Sequence, residues 1–155
     1  MTLERDIELL KSVPFFAGIP AEPLKLIAFS ADSREVPDGR FLFTAGDPAE
    51  GGFVVVEGRI DLVDETARPP KVLERLGPGA LIGELALIVE TRRPATALAV
   101  GRARVLAVRR SLFRRMLDEY PEIAVTLRDR IAERLTALAP EIGRIKDLME
   151  GGERR

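Results

Sequence analysis

Glu84 and Arg93 are the side chains whose types and spacing point most directly to ligand chemistry. Both lie in the run Gly79–Thr96, GALIGELALIVETRRPAT. A carboxylate such as Glu84 is an acceptor suited to a sugar hydroxyl. Arg93 supplies a planar, forked cation that fits a phosphate. Gly83 has no Cβ, so the backbone there can approach a ligand closely. Residues 84–88 read as one helical turn, and the first N–H groups of such a turn attract anions. An acceptor for ribose, a cation for phosphate and a helix start between them make a nucleotide-type cassette. Each piece alone is common. Leu85, Leu87 and Ile88 read equally well as core, and Arg92 with Arg93 as a solvated turn.

Composition narrows the other chemistries. The chain of 155 residues has no histidine and no cysteine. That removes Ser-His-Asp and Cys-His nucleophile systems, disulfides, and Cys/His zinc sites. Asp61, Asp64 and Glu90 are the carboxylates nearest to an acid/base arrangement, and solvated side chains are their simpler reading. The sequence therefore predicts no enzyme, no cofactor and no metal. With 24 basic and 25 acidic residues the formal net charge is -1, which gives no whole-chain attraction to nucleic acid or anionic lipid. Charges run through Met1–Lys11, and no apolar run reaches membrane-spanning length. A cytoplasmic location follows as the expectation, with no membrane partner.

Three kinds of segment must hold the cassette in place. Leu3, Ile7 and Leu10 recur at helical spacing, so residues 3–11 read as an amphipathic helix that Pro14 ends. Phe15, Phe16 and Ile19 read as a hydrophobic hinge, and Pro20 opens a second helix with Leu24, Ile27 and Ala28 inward. From Ser33 to Val108 the pattern becomes short apolar runs: Phe41–Phe43, Phe53–Val56, Ile60–Val63, Val72–Leu76, Ala97–Val100 and Val105–Val108. Turn signals at Gly46-Asp47-Pro48, Gly51-Gly52, Glu57-Gly58, Gly77-Pro78-Gly79 and Gly101 separate them, which predicts an antiparallel sandwich or barrel. Alternation in Ile60-Asp61-Leu62-Val63 suggests a strand with one wet face.

Helix returns after Ser111, a candidate N-cap, with Leu112, Phe113, Met116 and Leu117 on one face. Pro121 then opens a long helix whose apolar stripe runs Leu127, Ile131, Leu135, Leu138, Ile142, Ile145, Met149, with Pro140 and Gly143 interrupting it. The stripe has two candidate homes: the ligand-bound barrel, or a second copy of the same helix in a homodimer. Residues 1–149 read as one domain (helices over 3–30, barrel over 33–108, helices over 111–149), and 150–155 as a disordered tail.

The cassette resembles the phosphate-binding cassette of the cyclic-nucleotide-binding domain family. The match is Gly83-Glu84-Leu85-Ala86-Leu87-Ile88 followed by Arg93-x-Ala95-Thr96. A second signature of that family fits upstream, in Phe43-x-x-Gly46-Asp47, Phe53-Val54-Val55-Val56 and Gly58-x-Ile60-x-Leu62. The opening Leu10-Lys11-Ser12-Val13-Pro14-Phe15-Phe16-x-Gly18-Ile19 is similar to the family's entry helix, so the resemblance covers essentially the whole chain. It implies an α+β fold: a cyclic-nucleotide-binding β-barrel (a double-stranded β-helix, or jelly roll) with short N-terminal helices and a long C-terminal helix.

The resemblance also implies roles. Glu84 would accept the ribose 2′-hydroxyl, Arg93 would pair with the cyclic phosphate, and N–H groups around Leu85 and Ala86 would bond its oxygens. Gly83, Pro94 and Ala95 would complete the site. Keeping Pro121-Glu122-Ile123 in register with the family's Pro-Glu-Ile places a base-stacking arginine at Arg134, where a solvated helix charge is the equal alternative. Two positions depart from the pattern: Arg92 where proline is frequent, and Pro94 where Ser, Thr or Ala is usual. A hydroxyl at that second position often favours guanine, so Pro94 points to cAMP ahead of cGMP.

The function so implied is a sensor of a cyclic nucleotide, cAMP or else cGMP, acting on an unknown effector protein in trans. One alternative is a ligand-free adaptor or dimerisation protein of the same fold. Another is a regulator related to catabolite-activator-type transcription factors without their helix-turn-helix. A sequence-reading module of that kind needs a basic recognition helix, so this chain alone is not expected to bind DNA. In the sensor reading, ligand orders residues 122–139 as a lid, with Pro140 as a hinge and 141–155 mobile.

Overall fold

The computed structural model describes residues 3–137. Its elements are α1 (Leu3–Ser12), a 3-10 turn (Pro14–Phe16), α2 (Ala21–Ser30), β1 (Asp32–Val36), β2 (Phe41–Phe43), β3 (Pro48–Ala49), β4 (Gly51–Asp64), β5 (Lys71–Leu76), β6 (Leu81–Ile82), a second 3-10 turn (Glu84–Leu87), β7 (Thr91–Arg92), β8 (Thr96–Arg109), α3 (Arg110–Glu119) and α4 (Pro121–Ala137). The strands are antiparallel. β1, β8, β4 and β5 lie side by side, β2 adds to β8, β6 adds to β4, and β3 with β7 forms a separate ribbon. The expected jelly roll with helices at both ends is therefore present.

Two long strands make the spine, where the sequence suggested four short ones. Phe53–Val56 and Ile60–Val63 belong to β4, and Ala97–Val100 and Val105–Val108 belong to β8. Glu57-Gly58 and Gly101 are thus not chain reversals. The β4–β8 register shifts around Glu57, which is bulge behaviour. Gly58 sits there at φ +80, and a Cβ on it would overlap the Arg102 carbonyl of β8. The bulge lets each strand bend and continue, which turns and apolar runs alone do not reveal.

The spine is buried on both faces. Phe53, Val55, Val105 and Ala107 face the interior of the roll with Val36, Ile60, Ile82, Ala97, Ala99 and Ala103. Val54, Val56, Leu106 and Val108 face a helical layer with Ile7, Leu10, Phe16, Leu24, Ile27, Phe113, Met116, Ile123 and Leu127. Continuous apolar runs are what two-faced burial requires. The single wet face expected at Ile60–Val63 is absent: Asp61 is buried, its carboxylate held by Arg59 Nε at 2.9 Å and Nη2 at 3.2 Å. Buried Arg104 of β8 likewise reaches Asp6 of α1 (2.9 Å) and Ser33 of β1 (3.0 Å), tying the first helix to the roll.

The helical layer corrects two expectations. Phe15 and Phe16 are not a hinge; they are fully buried and pack on Phe113 with centroids 6.1 and 6.4 Å away. Ser111 is not the N-cap of α3, since Arg109 holds that position in extended backbone. The α4 stripe, as far as it is described, packs on the protein's own body. Ile123 and Leu127 are buried, and Ile131 packs partly buried, in the apolar cluster that the N-terminal helices and α3 form over β4 and β8. Arg130 Nη1 also donates to the Phe15 carbonyl at 3.3 Å. Leu138, Pro140, Ile142, Gly143, Ile145 and Met149, with the hinge, the dimer seam and the tail expected there, lie outside the described residues. Leu127 is 0% exposed, so Leu127→Ala should cost about 2–5 kcal/mol of stability. Denaturant unfolding followed by circular dichroism checks this, and a loss under about 1 kcal/mol would mean that α4 is not packed on this layer.

Candidate ligand-binding site

The site begins with how the cassette turn is held. Gly83 lies at φ 76, ψ 39, in the left-handed region, and leads into the 3-10 turn Glu84–Leu87. A residue with a Cβ is disfavoured in that conformation, and here the Cβ would also overlap Nη1 of Arg93. Gly83 is therefore required twice, for its torsion angle and for the space it leaves to a guanidinium. The Ala86 N–H closes the turn on the Gly83 carbonyl at 3.0 Å. That amide, expected on a ligand, is engaged inside the turn. Leu87 is buried in the helical layer with Ile88 packed on it, so the apolar side of the cassette does serve as core.

Arg93 is fixed by its backbone and by its head. Its N–H donates to the Asp47 carbonyl and its carbonyl accepts from the Gly46 N–H, both at 2.8 Å. The ribbon of β3 with β7 sets this pairing, because Pro48 opposes Arg92 and Ala49 opposes Thr91. Arg92, the first departure from the family pattern, braces the same turn, since its Nη1 donates to the Gly46 carbonyl at 2.8 Å. Pro94, the second, is exposed, and Ala95 beside it is buried. Thr96 is fully buried, donates to Glu65 at 2.6 Å and accepts from the Ala45 N–H at 2.9 Å, which locks the turn to β8.

Arg93 as a residue is 6% exposed. Nη2 donates to the Gly51 carbonyl at 2.7 Å. Its central carbon lies 4.4 Å from the Phe43 ring centroid and 5.2 Å from that of Phe53. Among the described residues no carboxylate comes within ion-pair distance of it. Burial pushes its pKa down to about 10, opposed by the charges of Asp47 and Glu50, so the group stays cationic at neutral pH.

A cavity of about 170 Å³ opens on this cation. Arg34, Phe43, Asp47, Glu50, Phe53 and Arg109 supply much of its wall. Of the residues expected from sequence, Arg93 lines it; Gly83 touches it only through Arg93, and Glu84, Leu85, Ala86, Pro94 and Ala95 do not line it. Arg134 falls on α4, but its side chain lies outside the described residues. Sequence reasoning missed Phe43, Phe53, Gly51 and Glu50 as neighbours of Arg93. The recurring Phe43-x-x-Gly46-Asp47 and Phe53 signature was the signal that could have found the first two.

Arg110 was also missed. Its Nη1 lies 3.0 Å from the Ala49 carbonyl, 2.9 Å from that of Ala86 and 3.3 Å from that of Val89. One residue thus joins the start of α3 to the cassette turn and to β3. Among the described residues no cluster of His, Cys, Asp and Glu suited to a metal occurs, and no helix is long and apolar enough to cross a membrane.

Gly83→Ala should lower stability by about 1–2 kcal/mol from its torsion angle alone, with a further loss from the overlap with Arg93. In an Arg93→Ala background the further loss should vanish and the first should stay. Denaturant titration of the four proteins measures this, and strictly additive costs would mean that the guanidinium does not rest on Gly83.

The model of the cyclic nucleotide-binding domain matches residues 33–120. The chain is 34% identical over 135 residues to a cyclic nucleotide-gated potassium channel of Mesorhizobium japonicum, covering 87% of this chain and 36% of the channel. It is 31% identical over 127 residues to the cyclic AMP receptor protein of Thermus thermophilus, covering 81% of this chain and 59% of that protein. It thus spans less than two thirds of either relative. Among solved structures, the N-terminal domain of a transcriptional regulator from Streptomyces coelicolor superimposes with TM-score 0.75 at 31% identity, over 83% of this chain and 93% of that one. A cyclic nucleotide-binding-like protein from Brucella abortus gives 0.67 at 37%, over 73% and 97%. With the cassette, the jelly roll and these matches in agreement, the chain belongs to the cyclic nucleotide-binding domain family.

Proposed function

We propose that this chain is a cyclic-nucleotide sensor for which cAMP is the preferred ligand, and that it acts in the cytoplasm on a partner protein in trans. The observation that carries the reading is the buried Arg93 cation. A charge held in a low-dielectric setting without a carboxylate partner is costly, and a cyclic phosphate is a monoanion of the right size to offset it. Glu84 accepts the ribose 2′-hydroxyl, the Leu85 N–H bonds a phosphate oxygen while that of Ala86 stays on the Gly83 carbonyl, and Ala95 packs beside the phosphate. Pro94 offers neither a hydroxyl nor an N–H, which favours adenine over guanine. The receptor protein of Thermus thermophilus is named for cyclic AMP, which supports the same choice. Residues 1–149 act as the sensing domain, with Arg134 as the candidate cover for the base.

One observation favours the second reading, a ligand-free adaptor. The cavity of about 170 Å³ is smaller than the roughly 300–1,000 Å³ of pockets that enclose small molecules. A nucleotide therefore has to lie across the cavity mouth, against the cassette, with only its phosphate reaching Arg93.

Calorimetric titration separates the two. Wild-type protein should bind cAMP at least as tightly as cGMP. A charge-assisted phosphate contact is worth about 1.5–3 kcal/mol, so Arg93→Ala should weaken binding by about tenfold to more than a hundredfold. Because Arg93 loses its proton only near pH 10, affinity should be level through neutral pH and fall as pH rises through that value. Absence of heat with either nucleotide at millimolar concentration would leave the adaptor reading in place.

A further inference from the structure

We propose that Phe43 and Phe53 are positioning residues for Arg93: together they form an aromatic clamp that holds the cation ready for an anionic ligand without neutralising it. The proposal rests on the assignment of Arg93 as the anion-binding residue. Phe43 comes from β2 and Phe53 from β4. Their rings are 5.9 Å apart with an interplanar angle of 27°, and both lie under the Arg93 guanidinium, at 4.4 and 5.2 Å. Gly51 receives one guanidinium N–H, and Gly83 leaves the space on which another nitrogen rests.

This set of partners has a consequence for binding. A free arginine loses much rotamer entropy when it is immobilised on a ligand. An arginine already seated on two rings and held by a carbonyl and a glycine has little left to lose. The faces of the rings carry the negative end of a quadrupole, so they stabilise a cation. They bring no net charge, so they do not compete with the incoming anion. A carboxylate in the same place would satisfy the guanidinium and repel a phosphate. Asp47 and Glu50 line the same cavity and their charges favour the cation from a distance, but neither is within ion-pair reach of Arg93. Arg34 lies over Phe53 as well, at 5.6 Å, so that ring supports a second cation at the cavity wall.

The test replaces the ring and keeps the bulk. Phe43 is only half-buried, so Phe43→Leu fills much of the same space without an aromatic face, and Phe43→Tyr restores the face. In titrations with cAMP and with adenosine, which lacks the phosphate, Phe43→Leu should weaken cAMP by about fivefold to thirtyfold and leave adenosine unchanged, while Phe43→Tyr stays within about twofold of wild type on both. Equal losses on cAMP and adenosine, or no loss in Phe43→Leu, would overturn the clamp. The clamp also has a readout without ligand. Ring currents should shift the Arg93 Nε–H resonance of the wild type upfield in NMR spectra, and Phe43→Leu should return it toward the position of a solvated arginine. An unshifted wild-type resonance would overturn the clamp by itself. A shifted resonance in a protein that binds neither cAMP nor cGMP would keep the clamp as a structural fact and defeat the sensor assignment instead.

Discussion

The constraint on which the rest of the site depends is one buried positive charge whose direct contacts are neutral, with Asp47 and Glu50 acting on it only from a distance. Arg93 keeps its charge behind 6% exposure on a carbonyl, two aromatic rings and the bare Cα of a glycine. The neighbours come from three segments: Gly51 and Phe53 from β4, Phe43 from β2, Gly83 from the cassette. Backbone bonds to the turn at Gly46-Asp47 then fix the residue itself. A cassette of this kind cannot fold on its own. It is assembled where β2, the start of β4 and the ribbon of β3 with β7 converge.

The convergence is possible because β4 and β8 carry two cores at once. One face of the pair lines the roll and holds Phe53 toward Arg93; the other face receives the helices. Alternate residues of Phe53-Val54-Val55-Val56 therefore serve the ligand side and the helix side. A shift of register by one residue would exchange them. The bulge around Glu57 takes up bending in the middle of the spine and leaves that alternation intact on the stretch that matters.

Much of this was legible in the sequence, for reasons that differ by segment. Gly83, Arg93 and the run between them were ambiguous residue by residue and could be read only as a whole, through the run's resemblance to the family cassette. The helices were legible from period, and α1, α2 and α4 begin close to where capping prolines and apolar spacing place them. Strand lengths were not legible, because Glu57-Gly58 and Gly101 carry the composition of turns while sitting inside long strands. β1, Asp-Ser-Arg-Glu-Val, shows no apolar alternation, being largely exposed. The neighbours of Arg93 were hidden for another reason. Phe43 and Phe53 look like ordinary strand hydrophobics, and only the fold brings their faces to a charge distant in sequence. Arg110 was hidden likewise, since a basic residue at a helix start is normally solvated.

That arginine bears on how a signal leaves the site. Any ligand that shifts an equilibrium must bind one arrangement of the protein better than another, so the cassette has to be in contact with something that moves. Through Arg110 the Ala86 and Val89 carbonyls of the cassette are bonded to the first residue of α3. From there Phe113 packs on Phe15 and Phe16, and Arg130 of α4 donates to the Phe15 carbonyl. The path from cassette to α4 therefore runs through a layer of buried side chains and hydrogen-bonded carbonyls, with no long loop in it. Close-packed layers of this kind yield by stepping between packings more readily than by stretching. The Arg110 bonds point from α3 directly at the cassette carbonyls, and α4 rests on the same layer, so any displacement of the cassette would meet α3 first and α4 through it.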